Sequence, residues 1–272
     1  MMPYLYIAGA IALPLCIASY IGSMRWLKIK HESFQTHKNA SFIILHISDF
    51  HSNRLKRTNE RMWEKIHALD FDMVAITGDL LQSRLGELEP IKPHLQRLAE
   101  RVPVFYVDGN HEKRIYPEVY RELEKIGVTG LDNRRVSVKV NGKEIDVVGV
   151  GDHYRIKRER FLPIRRAFGG KISAPASEKF TLVLSHQPSV IDKITKYSPD
   201  LLLCGHTHGG QVRFPFLPAL YAPGQGLLPY YDHGRYRVED TDIFISKGIG
   251  ATHFNVRFFN RAEVILVEVC GV

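Results

Sequence analysis

Cysteine is scarce in this chain. Three occur in 272 residues, at Cys16, Cys204 and Cys270, and none form a Cys-x-x-Cys pair. That excludes a fold built on a disulfide framework and a structural zinc site made of thiolates. Side chains of Asp, Glu, Lys, Arg and His are missing altogether from Pro3 to Met24. Acidic residues are outnumbered by basic ones, 29 against 37, for a formal net charge of +8. This balance fits a phosphate ester, a nucleic acid or an acidic lipid surface, or simply a charged, solvated exterior. No internal repeat or disordered tail is visible, and an apolar fraction of 44% is ordinary for a globular protein.

The uncharged stretch is long enough to cross a bilayer, for which about 20 residues suffice. Pro14 within it is tolerated in a membrane helix. A cleaved signal peptide fits less well. Met1-Met2-Pro3-Tyr4 carries no basic side chain, and Ala18-Ser19-Tyr20-Ile21-Gly22 is a poor cleavage site. Cys16 follows Leu15, so a lipoprotein site fits no better. Residues 1–27 therefore read as an uncleaved, single-pass transmembrane anchor in the cell membrane. Arg25, Lys28, Lys30 and Lys38 follow it, which predicts a cytoplasmic catalytic domain by the positive-inside rule. Residues 28–40 read as a linker and 41–272 as one domain.

From Ser41 onward, apolar runs alternate with helical spacings. Phe42–Ile47, Met73–Ile76 and Val104–Val107 read as buried strands, and Arg54–Leu69, Leu88–Leu98 and Glu118–Ile126 as helices. This is the pattern of an α/β sheet. The second half is richer in strands. Asn141-Gly142 marks a hairpin between Val136–Val140 and Ile145–Val150, and Phe180–Leu184, Leu201–Leu203, Arg235–Val238, Ile243–Ser246 and Ala262–Val269 are further strands.

In sheets of this kind functional groups collect beyond the carboxyl ends of strands. There the chain places Asp49, His51, Asp79, Asn110, His111, His186, His206 and His208. Taken singly, Asp49 and Asp79 read as helix caps, His111 as a turn residue and His186 as a loop residue. Taken together, the mixture of carboxylate, amide and imidazole suits borderline divalent metals such as Mn, Fe or Zn, and is too rich in His for calcium. So many candidate ligands are too many for one open catalytic ion. They suit a pair about 3.5–4 Å apart, which can clamp the attacking and leaving oxygens of an in-line displacement. His46 lies on the other face of its strand and is expected in the core.

The order Asp49-x-His51, Gly78-Asp79, Gly109-Asn110-His111-Glu112, His186, Gly205-His206-x-His208 resembles the calcineurin-like metallophosphoesterase superfamily. The resemblance spans about Phe42 to Gly210 and implies a four-layer α/β/β/α sandwich of two mixed sheets around a two-metal site. By position it implies that Asp49, His51 and His208 bind one metal and that Asn110, His186 and His206 bind the other. Asp79 would bridge both, with Mn favoured. It further implies attack by a metal-bridging hydroxide, with His111 as the general acid. Gly250-Ala251-Thr252-His253-Phe254 adds a likeness to the membrane-associated bacterial branch.

Two regions bear on the substrate. His153–Lys171 is basic and amphipathic, with Arg155, Lys157, Arg158, Arg160, Arg165 and Arg166 among Phe161, Leu162, Ile164 and Phe168. It reads as a surface for an anionic membrane or a second phosphate, or as a solvated helix. Phe214–Tyr231, rich in Pro, Gly and aromatics, reads as a pocket wall or a packed loop. His153, His233 and His253 are candidates for supporting or substrate contacts. The expected activity is a phosphodiesterase or pyrophosphatase acting on a lipid- or nucleotide-linked phosphate at the membrane. The alternatives are a metal-dependent nuclease and a non-catalytic metal-binding scaffold. Basic side chains concentrated in one segment, instead of along a groove, make a nucleic-acid partner the weaker reading.

Overall fold

A computed structural model describes Pro14, Ser19, Gly22, Ser23 and residues 26–51, 56–152, 161–170, 178–210, 212–213, 217–250 and 257–272. In chain order these form β1 (Lys28–Thr36), β2 (Phe42–Ile47), α1 (Lys56–His67), β3 (Met73–Thr77), α2 (Lys92–Ala99), β4 (Val104–Val107), α3 (Glu118–Glu124) and β5 (Val128–Gly130). The second half supplies β6 (Arg135–Val140), β7 (Lys143–Val150), α4 (Phe161–Ala167), β8 (Thr181–Ser185), α5 (Ile191–Ile194) and β9 (Leu201–Cys204). It closes with β10 (Tyr221–Ala222), β11 (Gly226–Leu227), β12 (Gly234–Val238), β13 (Thr241–Ile245) and β14 (Glu263–Gly271).

Two mixed sheets of six strands result, in the orders β1-β14-β2-β3-β4-β5 and β12-β13-β9-β8-β7-β6. In each, a central run is parallel: β2 to β5 in the first, and β7, β8, β9 and β13 in the second. Strand alternation explains the stacking. Ile44, Met73, Ala75, Phe105 and Ile265 face Ile145, Leu182, Leu203 and Phe244 in a dry layer between the sheets. Leu45, Val74, Ile76 and Tyr106 point the other way, onto Trp63 and Ile66 of α1, Leu95 of α2 and Leu123 of α3. On the far side Val148, Val183 and Leu202 meet Ile164 of α4 and Ile191 of α5. The order is therefore helices, sheet, sheet, helices. Each fully buried Leu or Phe contributes about 1.5–3 kcal/mol of transfer free energy, so strands apolar on both faces are held on both sides.

The Asn141-Gly142 hairpin is present, with both residues at positive φ (48° and 78°), as a two-residue turn between antiparallel strands requires. His46 is fully buried between the sheets and bonds Thr77 Oγ1 through Nε2 at 2.8 Å. The expected linker at 28–40 is corrected: Lys28–Thr36 is an edge strand, paired parallel to β14 along its whole length. Its charges and exposed positions are what a sheet edge carries, and they mask its period. Among the described residues no helix is long and apolar enough to cross a membrane. Most of the stretch read as an anchor, and most of the basic segment His153–Lys171, lie outside the described residues.

Candidate metal centre

The parallel runs of both sheets end at one rim. β2, β3 and β4 deliver Asp49, Asp79 and Asn110 there, and β8 and β9 deliver His186 and His206. The chain must turn sharply after each strand. Asp49 (φ 51°), His51 (47°), Asp79 (50°), His206 (73°) and His208 (50°) all lie in the left-handed region. Such conformations cost a residue with a side chain on the order of 1–3 kcal/mol and gather at functional sites. Two glycines make the approach of the turns possible. A Cβ on Gly109 would fall 2.2 Å from Asp79 Oδ1, and one on Gly205 would fall 1.8 Å from Ser48 Oγ.

Two triads converge. Asp49, His51 and His208 form one, and Asp79, His186 and His206 form the other, with the ligand atoms of each within 4.8 Å of one another. His208 Nε2 is 3.4 Å from Asp49 Oδ1 and 3.4 Å from His51 Nε2. His186 Nε2 is 3.2 Å from Asp79 Oδ2 and 3.1 Å from His206 Nδ1. Asp79 joins the triads, because its Oδ2 is also 3.7 Å from His51 Nε2. Asn110 Oδ1 is buried without a hydrogen-bond partner among the described residues. Buried imidazole nitrogens face one another here across two carboxylates, beside an orphaned amide oxygen. This donor set fits a pair of divalent cations.

Hydrogen bonds fix the tautomers. His186 Nδ1 donates to the Thr77 carbonyl at 2.8 Å, which leaves its Nε2 lone pair facing Asp79. His111 Nδ1 donates to the Gln82 carbonyl at 2.8 Å, and its Nε2 lies 3.8 Å from Asp79 Oδ2 at the open side of the site. The His111 backbone N–H donates to Asp79 Oδ1 at 3.0 Å. The His206 N–H donates to both oxygens of Asp49, and Ser48 Oγ donates to Oδ2 at 2.6 Å.

Burial holds the His51 imidazole down at about 4 and that of His206 at about 3, and it lowers His208 as well. All three are neutral near pH 7, the form that offers a lone pair. Burial pushes Asp49 up to about 6, and the Asp79 charge adds to that. Burial would raise Asp79 too, but His186, then His51 and His111, outweigh it and hold Asp79 well below the usual range. His186 is the counterpart. Burial lowers it, but the Asp79 charge, with Asp49 and Asp152 beyond it, raises it further than burial lowers it. A cation taken up beside Asp79 therefore competes with a proton on His186.

All eight residues expected at the site thus lie on this rim. Several supporting groups escape the sequence reading. Glu112 is fully buried and accepts the N–H groups of Asp79 (3.0 Å), Leu81 (2.8 Å) and Gly109 (2.8 Å), pinning the β3 turn to the β4 turn. Its place in Gly109-Asn110-His111-Glu112 is the signal that could have found it. Arg257 is buried, donates to the Gly250 and Lys247 carbonyls, and sits 3.4 Å from His208 Nδ1. No spacing motif announces it. His233 joins Asp232 and Arg213 in a cluster, and the Asp232 carbonyl takes the Thr207 hydroxyl between the two histidines of the Gly-rich turn. His153 and His253 lie outside the described residues, as do Phe214 and Phe216. Of the expected pocket wall, Ala219 and Ala222 are buried, while Leu217, Tyr221, Leu227 and Leu228 are exposed, Leu227 at 80% and Leu228 at 72%.

A family model described as calcineurin-like phosphoesterase matches residues 42–210. The uncharacterized metallophosphoesterase YkoQ of Bacillus subtilis is 26% identical over 232 residues, covering 83% of each chain. An uncharacterized metallophosphoesterase of Helicobacter pylori is 32% identical over 233 residues, covering 83% of this chain and 59% of its own length. The phosphodiesterase YaeI of Escherichia coli is 26% identical over 253 residues, covering 89% of this chain and 87% of its own. Members of the matched family bind two divalent metals, and the two neighbouring triads supply a candidate place for them. This chain belongs to the calcineurin-like phosphoesterase family and is a metal-dependent hydrolase of phosphoester bonds.

Proposed function

We propose that the protein is a membrane-anchored phosphodiesterase or pyrophosphatase whose substrate carries a lipid or a nucleotide on its phosphate. The observation that carries the hydrolytic part of this reading is the closeness of two ligand triads, linked by Asp79 of one, whose Oδ2 lies 3.7 Å from His51 Nε2 of the other. In this reading Asp49, His51 and His208 hold one cation, Asn110, His186 and His206 hold the second, and Asp79 is shared. Mn is the favoured metal for so mixed a donor set. When bound, the pair supplies Lewis-acid polarisation of the phosphoryl oxygens and an acidified water.

The chain's own groups do the rest. Asp79 and Asp49 are held in place by backbone N–H groups, so the site needs little rearrangement when charge develops. His111, tied at Nδ1 to Gln82, presents Nε2 to the departing oxygen and would deliver a proton to it from there. The anchor is the uncharged stretch Pro3–Met24, with the catalytic domain from Lys28 onward on the cytoplasmic side. That part rests on the charge asymmetry of the flanks.

The test is turnover by the full chain in detergent, with Mn and with chelator, on phosphodiesters, phosphomonoesters and nucleotide–lipid pyrophosphates. Mn-dependent cleavage of a diester or pyrophosphate is expected, and an absence of metal-dependent turnover on every substrate would end the proposal. His111→Ala is expected to keep both metals and lose about 10²–10⁴-fold in kcat, the usual worth of a general acid. Full rate in that variant would show the assignment of His111 to be wrong.

A further inference from the structure

Most large apolar side chains left exposed among the described residues crowd into one short loop. Leu217, Leu220, Tyr221, Leu227, Leu228 and Tyr230 all lie there, with Leu227 80% and Tyr230 78% accessible. Apolar patches of this density on a soluble surface mark a contact site. The loop has a fixed shape. The Leu228 N–H donates to the Leu220 carbonyl at 2.9 Å, the Gln225 side chain clasps Tyr231 through both its amide atoms, and the Ala219 N–H reaches Asp232. It is also set against the metal centre. Gly224 (φ 76°) lies so near His206 that a Cβ there would be 3.1 Å from Nε2.

Two described residues of the uncharged N-terminal stretch, Ser19 and Ser23, bond the segment that borders this face. Ser19 Oγ accepts from the Phe259 N–H and Ser23 Oγ from the Asn260 N–H, while Asn260 Nδ2 donates to the His208 carbonyl at 2.6 Å. Phe258 pairs with Val212, and both Phe259 and Val212 are exposed. Trp26 is exposed as well, under the Arg261 guanidinium at 5.3 Å from its ring, with Lys28 and Lys30 just beyond. A Trp rimmed by Lys and Arg, like the exposed Tyr221 and Tyr230 of the loop, suits the interface of an anionic membrane.

We propose that the Leu217–Tyr230 loop seats in the surface of an anionic phospholipid bilayer and holds the mouth of the metal centre against it, so that the substrate is taken from the lipid phase. The inference rests on the anchored-hydrolase reading above and adds a second contact, beside the reacting centre. Because the anchor keeps the loop at high effective concentration near the bilayer, shallow insertion of a few side chains is enough. A second copy of the chain is the competing occupant. It does not account for Ser19 and Ser23 of the uncharged stretch being bonded beside the same face.

The full chain is reconstituted into vesicles of phosphatidylglycerol and phosphatidylethanolamine. It carries an environment-sensitive fluorophore at Leu227→Cys in a Cys16→Ser, Cys270→Ser background. A blue shift with quenching by a lipid-borne quencher is expected. Protein that floats with the vesicles while its probe reports water would overturn the loop's role and leave the anchor standing. Failure to float would overturn both, and quenching only between labelled protomers would assign the face to a second copy.

In parallel, Leu227→Asp with Leu228→Asp is expected to keep turnover of a soluble diester within about twofold and to lose about tenfold or more on a vesicle-embedded diester. Equal loss on both substrates would overturn the proposal. If neither substrate is turned over by the wild-type chain, the hydrolase reading fails, and the fluorophore still decides the loop.

Discussion

At the scale of single residues, the site is made by side chains that the backbone would not choose for its own sake. His51 sits at φ 47°, fully enclosed, between His208, Asp79 and His111. An L-residue in that region pays roughly 1–2 kcal/mol, against which glycine's larger unfolded-state entropy offsets about 0.5–1 kcal/mol. His51→Gly and His51→Ala both remove the imidazole and are expected to be equally inactive. The glycine variant should nonetheless be the more stable by about 0.5–1 kcal/mol. Denaturant unfolding of the two variants without metal reads this difference directly. Alanine equal to or better than glycine would show that no strain is stored at position 51. The candidate ligands are legible in the sequence for a related reason: carboxylate and imidazole at successive strand ends have few other uses. Arg257 is not, because a buried arginine bonded to carbonyls of its own loop leaves no spacing in the chain.

At the scale of elements, the turns after β3 and β4 behave as one unit because of Glu112. Its three backbone donors require an acceptor at both carboxylate oxygens. Glu112→Gln keeps the shape but turns one acceptor into a donor that faces an N–H. Leaving a buried donor unmet costs about 1–3 kcal/mol. The displaced turns carry Asp79 and Asn110, so metal affinity is expected to fall about 10–100-fold, as it does when groups behind metal ligands are altered. Titration of Mn binding, with far-ultraviolet circular dichroism to confirm the fold, checks this, and unchanged affinity would reduce Glu112 to a packing residue. The central strands are legible in the sequence because they are apolar on both faces over at least four residues, as in Val104–Val107. β1 is not, since its exposed and half-buried positions alternate imperfectly under charges. β5 escapes because three residues ending in glycine carry no period, and α5 because four residues make barely one turn.

At the scale of the whole molecule, the two sheets are joined at the rim by the very groups that would hold metal. Asp49, His51, Asp79 and Asn110 come from the first sheet, and His186, His206 and His208 from the second. The sandwich is already pinned there by the His186 bond to Thr77 and by the His206 N–H on Asp49. A metal pair would add bonds across the same seam, and a ligand that binds only the folded state stabilises it by mass action. With free Mn at about 100 times its dissociation constant the gain is about 2.7 kcal/mol per independent site, or ~5–10 °C in melting temperature for a domain of this size. Chelation should therefore lower the melting temperature by that amount for each site emptied, and its effect on amide exchange should be local. Protection is expected to fall in the turns after β2, β3, β4, β8 and β9. It should hold at β5 and β6, which lie at sheet edges and carry no ligand. Exchange measured with and without chelator distinguishes a metal-stapled seam from a uniform loss of stability. Equal loss of protection across both sheets would mean that the cations contribute to global stability without bridging this rim, and the assignment of ligands to opposite sheets would have to be abandoned.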